Sequence, residues 1–118
     1  MFIRWKRKAH KPKKDYQNGG YITHYLLYAQ LLESYREDGK PRQRVIKHLG
    51  GFKEHLRELA HIRLYFWQDA SKKLDELSLD GLEREKIEQQ LALKVPMLTN
   101  EEREQVRQMF ESYGVQIH

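Results

Sequence analysis

The run Leu31-Leu32-Glu33-Ser34-Tyr35-Arg36-Glu37-Asp38-Gly39-Lys40-Pro41-Arg42-Gln43-Arg44-Val45-Ile46 decides the fold. Asp38-Gly39 is the dipeptide of a two-residue type I′ turn, in which both central residues need positive φ. With those two as the loop, Glu37 faces Lys40, Tyr35 faces Arg42, Glu33 faces Arg44 and Leu31 faces Ile46. The intervening pairs are Arg36 with Pro41, Ser34 with Gln43 and Leu32 with Val45. A charge pair, an aromatic–guanidinium pair and two aliphatic pairs make this register chemically consistent. Pro41 falls where the ladder does not use its missing N–H.

Upstream of the turn, Tyr21–Glu37 taken alone suits two structures. Tyr25, Leu26, Ala29 and Leu32 have helical spacing, whereas the density of tyrosines favours a strand. The turn tips the choice to a strand over about Tyr21–Arg36, with its partner over Arg42–Leu49 and an end at Gly50-Gly51. Met1–Lys8 alternates, with Phe2, Arg4 and Lys6 on one side and Ile3, Trp5 and Arg7 on the other, and predicts a third strand. Between them, His10–Gly20 holds Pro12, Asn18, Gly19 and Gly20 and reads as a loop.

Downstream the period changes. From Phe52, the positions Leu56, Leu59/Ala60, Phe66/Trp67, Ala70, Leu74 and Leu77 recur at three and four, which predicts one long amphipathic helix. A second helix starts near Ser78 or Asp80, carries Leu82, Ile87 and Leu91, and stops at Val95-Pro96. Thr99-Asn100-Glu101-Glu102 is a capping box that opens a third, closed by Gly114. The fold class is therefore α+β: a three-stranded antiparallel β-sheet followed by a three-helix C-terminal part. The long helix is expected to pack Leu56, Leu59, Trp67 and Ala70 on one sheet face. Residues 1–51, in which Lys and Arg outnumber Asp and Glu, are expected to form a basic region of the kind that binds nucleic acid. Residues 52–118 form a helical region that packs on it and has surface for association.

The charge is divided in the same way. The 118 residues carry a formal net charge of +5, but residues 1–64 hold 15 Lys/Arg against 6 Asp/Glu, and residues 65–118 hold 7 against 11. A basic front and an acidic back point to one part that meets a polyanion and another that serves as scaffold or meets a partner. The absence of cysteine excludes disulfides, thiolate metal sites and a cysteine nucleophile. Apolar runs are too short for a membrane span or a signal-peptide core. His48, His55 and His61, spaced by seven and six, do not share a helical turn and make a poor metal site. No phosphate-cradling glycine loop, serine triad or paired carboxylates emerge, and no cofactor is implied.

The run quoted above, extended to Gly50 and joined to the basic Met1–Lys8 strand, resembles the N-terminal region of bacterial insertion-sequence transposases of the DDE class. Those enzymes commonly begin with a short basic strand leading into an L-x-E-S-Y-R-x-x-G-K-x-R-Q-R-V-I-x-x-L-G hairpin. The family's catalysis uses three metal-binding carboxylates on a sheet framework with no counterpart here. The resemblance thus implies the recognition module without the engine: a non-catalytic DNA-binding accessory or regulatory protein of a mobile element, in the bacterial cytoplasm and, if bound to DNA, at the nucleoid.

The candidate nucleic-acid-binding residues are Arg4, Lys6, Arg7, Lys8, Lys11, Lys13 and Lys14 of the N-terminal segment, and Tyr35, Lys40, Arg42, Arg44, Lys47 and His48 of the hairpin. A two-stranded ribbon fits the major groove, where arginine can grip guanine with two hydrogen bonds. Lysines would hold phosphates. The expected surface is one sheet face that carries Arg4, Arg42, Arg44, His48 and the N-terminal lysines. Two other partners stand beside DNA: RNA, which the same cations would serve and on which Tyr65-Phe66-Trp67 could stack, although Phe66 and Trp67 continue the apolar stripe and are assigned to the core, or a protein bound by the acidic helices.

Overall fold

In the computed structural model, which describes residues 1–114, five strands precede three helices. The strands are β1 (Phe2–Ala9), β2 (Lys13–Lys14), β3 (Tyr21–Ile22), β4 (Tyr25–Glu37) and β5 (Lys40–Lys53). A 3-10 turn at Glu54–Leu56 leads to α1 (Ala60–Asp75), α2 (Gly81–Ala92) and α3 (Asn100–Ser112). β4 is the central strand of an antiparallel sheet in the order β1-β4-β5, and β2 pairs with β3 in a separate small ribbon. The α+β class and the three-stranded sheet follow the sequence reading. The predicted loop over His10–Gly20 and the unbroken strand from Tyr21 are corrected. Lys13–Lys14 fold back on Tyr21–Ile22, and the strand is interrupted at Thr23-His24 before β4 begins at Tyr25.

The β4–β5 turn is as the dipeptide requires, with Asp38 at φ 52° and Gly39 at φ 76°. The register runs as predicted from Glu37/Lys40 to Leu32/Val45. It then departs: Leu31 pairs with Lys47, not Ile46, so Ile46 is an extra residue in the ladder. Leu49 is a second, between the Gln30/His48 and Ala29/Gly50 pairs.

The expected strand end at Gly50-Gly51 is also corrected, since β5 crosses both glycines and pairs Phe52 with Leu27. A Cβ on Gly51 would lie 2.6 Å from the Leu27 carbonyl oxygen and 2.9 Å from Tyr28 Cβ. The glycine lets two backbones approach closely within a strand.

Alternate positions of the strands feed one core. Leu27, Ala29 and Leu31 of β4, with Leu49 and Phe52 of β5, pack against Leu64, Phe66, Trp67, Ala70 and Leu74 of α1, and Ile87 and Leu91 of α2 join them. Trp5 from β1 stacks on Phe66, with ring centroids 5.6 Å apart. Trp67 is buried and donates its indole N–H to the Val95 carbonyl at 2.9 Å, as a buried indole must. The long helix predicted from Phe52 begins only at Ala60. Leu59 is its N-cap and is 43% exposed, so Leu59 does not pack on the sheet as expected. α2 and α3 start where their caps indicate. Asp80 accepts from the Glu83 N–H, and Thr99 and Glu102 form the reciprocal capping box.

Arg63 ties these helices together. Its guanidinium donates to the Pro96 and Met97 carbonyls and to both Glu102 carboxylate oxygens. That contact, and then the Thr99 N–H, holds the Glu102 carboxyl below the usual carboxylate range.

Candidate nucleic-acid interface

Partners in a β-ladder share a face, so the pairings sort the sheet into two sides. The helix-covered side carries Ile3, Trp5 and Arg7 of β1, the core residues of β4, and the pairs Leu31/Lys47, Glu33/Arg44, Tyr35/Arg42 and Glu37/Lys40. The other side carries Phe2, Arg4, Lys6 and Lys8, paired with Leu32, Gln30, Tyr28 and Leu26. It continues through Arg36/Pro41, Ser34/Gln43, Gln30/His48 and Leu26/Lys53. The expectation of one face holding Arg4, Arg42, Arg44 and His48 is corrected here. The extra residue at Ile46 reverses the parity of β5, which sends His48 to the side of Arg4 and leaves Arg42 and Arg44 opposite.

The two sides differ in their acids. On the helix side, Arg44 forms an ion pair with Glu33, and its guanidinium lies 5.3 Å from the Tyr35 ring. Lys47 Nζ is 2.5 Å from Glu76, whose carboxyl this contact pulls below its ordinary range. Arg7 lies 3.6 Å over the Tyr25 ring and pairs with Glu54 at 2.8 Å. Arg7, Arg44 and Lys47 are therefore engaged within the fold. The uncovered side holds Arg4, Lys6, Lys8, Arg36 and Lys53, and no carboxylate appears among its paired residues.

At the centre of that side sits Gln30, 6% exposed within an otherwise apolar stretch of β4. Its Oε1 accepts from Arg4 Nε at 3.2 Å and from Arg4 Nη2 at 2.9 Å. Its amide nitrogen lies 3.3 Å from His48 Nδ1. Arginine can only donate, so the amide oxygen must face Arg4 and the NH₂ must face His48. His48 then accepts at Nδ1, which places its own proton on Nε2. Gln30, Arg36 and Lys53 were not among the predicted residues. The signal for Gln30 was available, because a buried amide between leucines needs partners.

The remaining candidates lie at the ends. From Ser34 to Arg44 every residue is exposed, so the β4–β5 ribbon stands clear of the helices on both sides. Arg36, Lys40 and Arg42 have no ion-pair partner among the described residues. Lys13 and Lys14 are exposed on the small β2–β3 ribbon, with Lys14 Nζ 5.5 Å from the Tyr16 ring, and Lys11 is exposed just before it. Beside that ribbon, His24 and His55 stack at 4.2 Å. Partial burial, then the neighbouring His55, Lys13 and Lys53, lower the pKa of His24.

Tyr65-Phe66-Trp67 do not form an exposed stacking platform. Phe66 and Trp67 are buried, and Tyr65 leans on Phe110 with ring centroids 5.9 Å apart. Among the described residues, no three His, Asp or Glu side chains group in a way that could hold a metal ion. No helix among them is long and apolar enough to cross a membrane.

Compared with known proteins, residues 11–92 match the family model described as "IS1634 family transposase, N-terminal domain", which covers more than half of the chain. No curated protein and no solved structure matches the chain.

Proposed function

The chain belongs to the family of IS1634-type transposase N-terminal domains, and from that premise we propose that it is a non-catalytic module that binds duplex DNA for a mobile element. The observation that carries this reading is the carboxylate-free sheet side with Arg4, Lys6, Lys8, Arg36 and Lys53. A surface of one charge sign concentrates a polyanion, and every phosphate it neutralises releases a counterion. The projecting ribbon, exposed on both of its faces and carrying Arg36, Lys40 and Arg42 without ion-pair partners among the described residues, has a width suited to the major groove. The lysines of the β2–β3 ribbon supply further phosphate contacts.

Titration of the protein with duplex DNA over a salt series tests this. The expected slope of log K against log salt is about −4 or steeper. Replacing Lys6 and Lys8 together by alanine should flatten it by about 2, at roughly 0.9 per phosphate. An affinity indifferent to salt, or an unchanged slope in the double variant, would refute the assignment. Tighter binding to RNA or single-stranded DNA would move it to the ribonucleoprotein reading.

A further inference from the structure

We infer that Gln30 is a positioning residue that fixes Arg4 and His48 as hydrogen-bond donors for reading a guanine-containing step in duplex DNA. This rests on the reading above, that the uncovered sheet side meets duplex DNA, and adds that this side reads bases as well as phosphates.

The argument begins with what Gln30 leaves free. It grips Arg4 along the Nε–Nη2 side of the guanidinium. The opposite end of the fork, one N–H from each Nη, has no acceptor among the described residues. Two parallel donors at that spacing match the O6 and N7 acceptors of guanine in the major groove. His48 accepts from Gln30 at Nδ1 and is exposed, so its Nε2–H is a single donor beside the arginine fork.

Charge attraction alone needs none of this order. Lys6 and Lys8 are exposed, which is sufficient for phosphates. A half-buried arginine locked in one plane has lost its rotamer freedom before any ligand arrives. Such pre-organisation favours recognition of a particular planar partner. By register, the neighbours of Arg4 on this side are Phe2, Leu32, Lys6 and Tyr28, and none offers a carboxylate to compete for the free donors.

The test is selection from a pool of duplex DNA with a randomised central segment, by the wild-type protein and three variants. Wild type should enrich a motif with at least one fixed guanine. Arg4→Lys keeps the charge and loses the fork, so the preference at that guanine should fall about five- to a hundredfold while the salt slope is retained. Gln30→Met should produce the same loss with Arg4 still present, because the arginine is no longer held. His48→Ala should relax only the neighbouring position. A purely structural role for Gln30 would lower thermal stability and leave the selected motif intact, which would overturn the inference. If Gln30→Met fails to fold, Arg4→Lys and His48→Ala, which leave the buried amide in place, decide it. Wild-type binding that is salt-dependent but blind to sequence would also overturn it and leave the DNA-binding reading standing. Absence of duplex binding would remove both.

Discussion

The two sides of the β1-β4-β5 sheet bear comparable sets of cations and use them differently. On the helix side, Arg7, Arg44 and Lys47 meet Glu54, Glu33 and Glu76, and two of these pairs tie a strand to the element that packs over it. On the other side, Arg4, Lys6, Lys8, Arg36 and Lys53 meet no acid among their paired neighbours. A count of basic residues therefore overstates the first side as a ligand surface and understates the second. What matters is where the carboxylates went.

The deepest break of this comparison is on the covered side. Phe66 is 1% exposed and touches Trp5, Phe52 and Trp67. Phe66→Ala should cost about 3–5 kcal/mol in chemical denaturation, through lost burial and the cavity left behind. Tyr28→Ala on the uncovered side should cost much less, and a similar loss would mean that something covers that side in solution.

A sharper cut separates two arginines two residues apart. Arg42 has no ion-pair partner among the described residues, and Arg44 is held by Glu33. Arg42→Ala should flatten the salt slope on duplex DNA by about 0.9, and Arg44→Ala by clearly less. Equal effects would mean that the Glu33 pair opens on binding.

Lys47→Met tests the same division on stability. The pair with Glu76 is partly exposed, so the loss in a denaturant melt should be small, and DNA affinity should stay unchanged. The smallest expected effect is one of pH. The pKa of His24 is lowered in the fold, so the unfolded chain takes up the proton more readily. Stability should fall as pH drops through about 6.5, and a His24→Asn variant should show a flatter dependence in thermal melts.

Much of this was written in local chemistry. Asp38-Gly39 dictated the turn and six pairs of register, and Asp80 and Thr99 marked two helix starts through side-chain caps. The start of α1 was not legible, because Leu59 caps it without a side-chain hydrogen bond, and Leu56, in a 3-10 turn, and Leu59, at the cap, imitate helical spacing. For the candidate surface, the basic residues were legible in composition, and their distribution over the two sheet sides was not. Strand reading assumes a period of two, and the extra residue at Ile46 carries no sequence mark of its own. That single insertion moved His48 across the sheet and parted it from Arg42 and Arg44. Gly50-Gly51 misled for a related reason: glycine signals a chain end or a close backbone approach, and only the neighbouring strand decides which.

β1 is an outer strand, and its Ile3 N–H is taken by Gln90 Oε1 of α2 at 2.9 Å. An open strand edge invites another copy of the molecule to dock backbone to backbone and continue the sheet into an aggregate. Here the side chain of Gln90 stands in for that missing neighbour at one end, and a second β1 arriving further along would bring Arg4, Lys6, Arg7 and Lys8 against their own likeness. The lysines of the proposed nucleic-acid surface would thus also disfavour that approach through like-charge repulsion. Changes that neutralise them to weaken nucleic-acid binding would, by the same stroke, remove a guard against self-assembly.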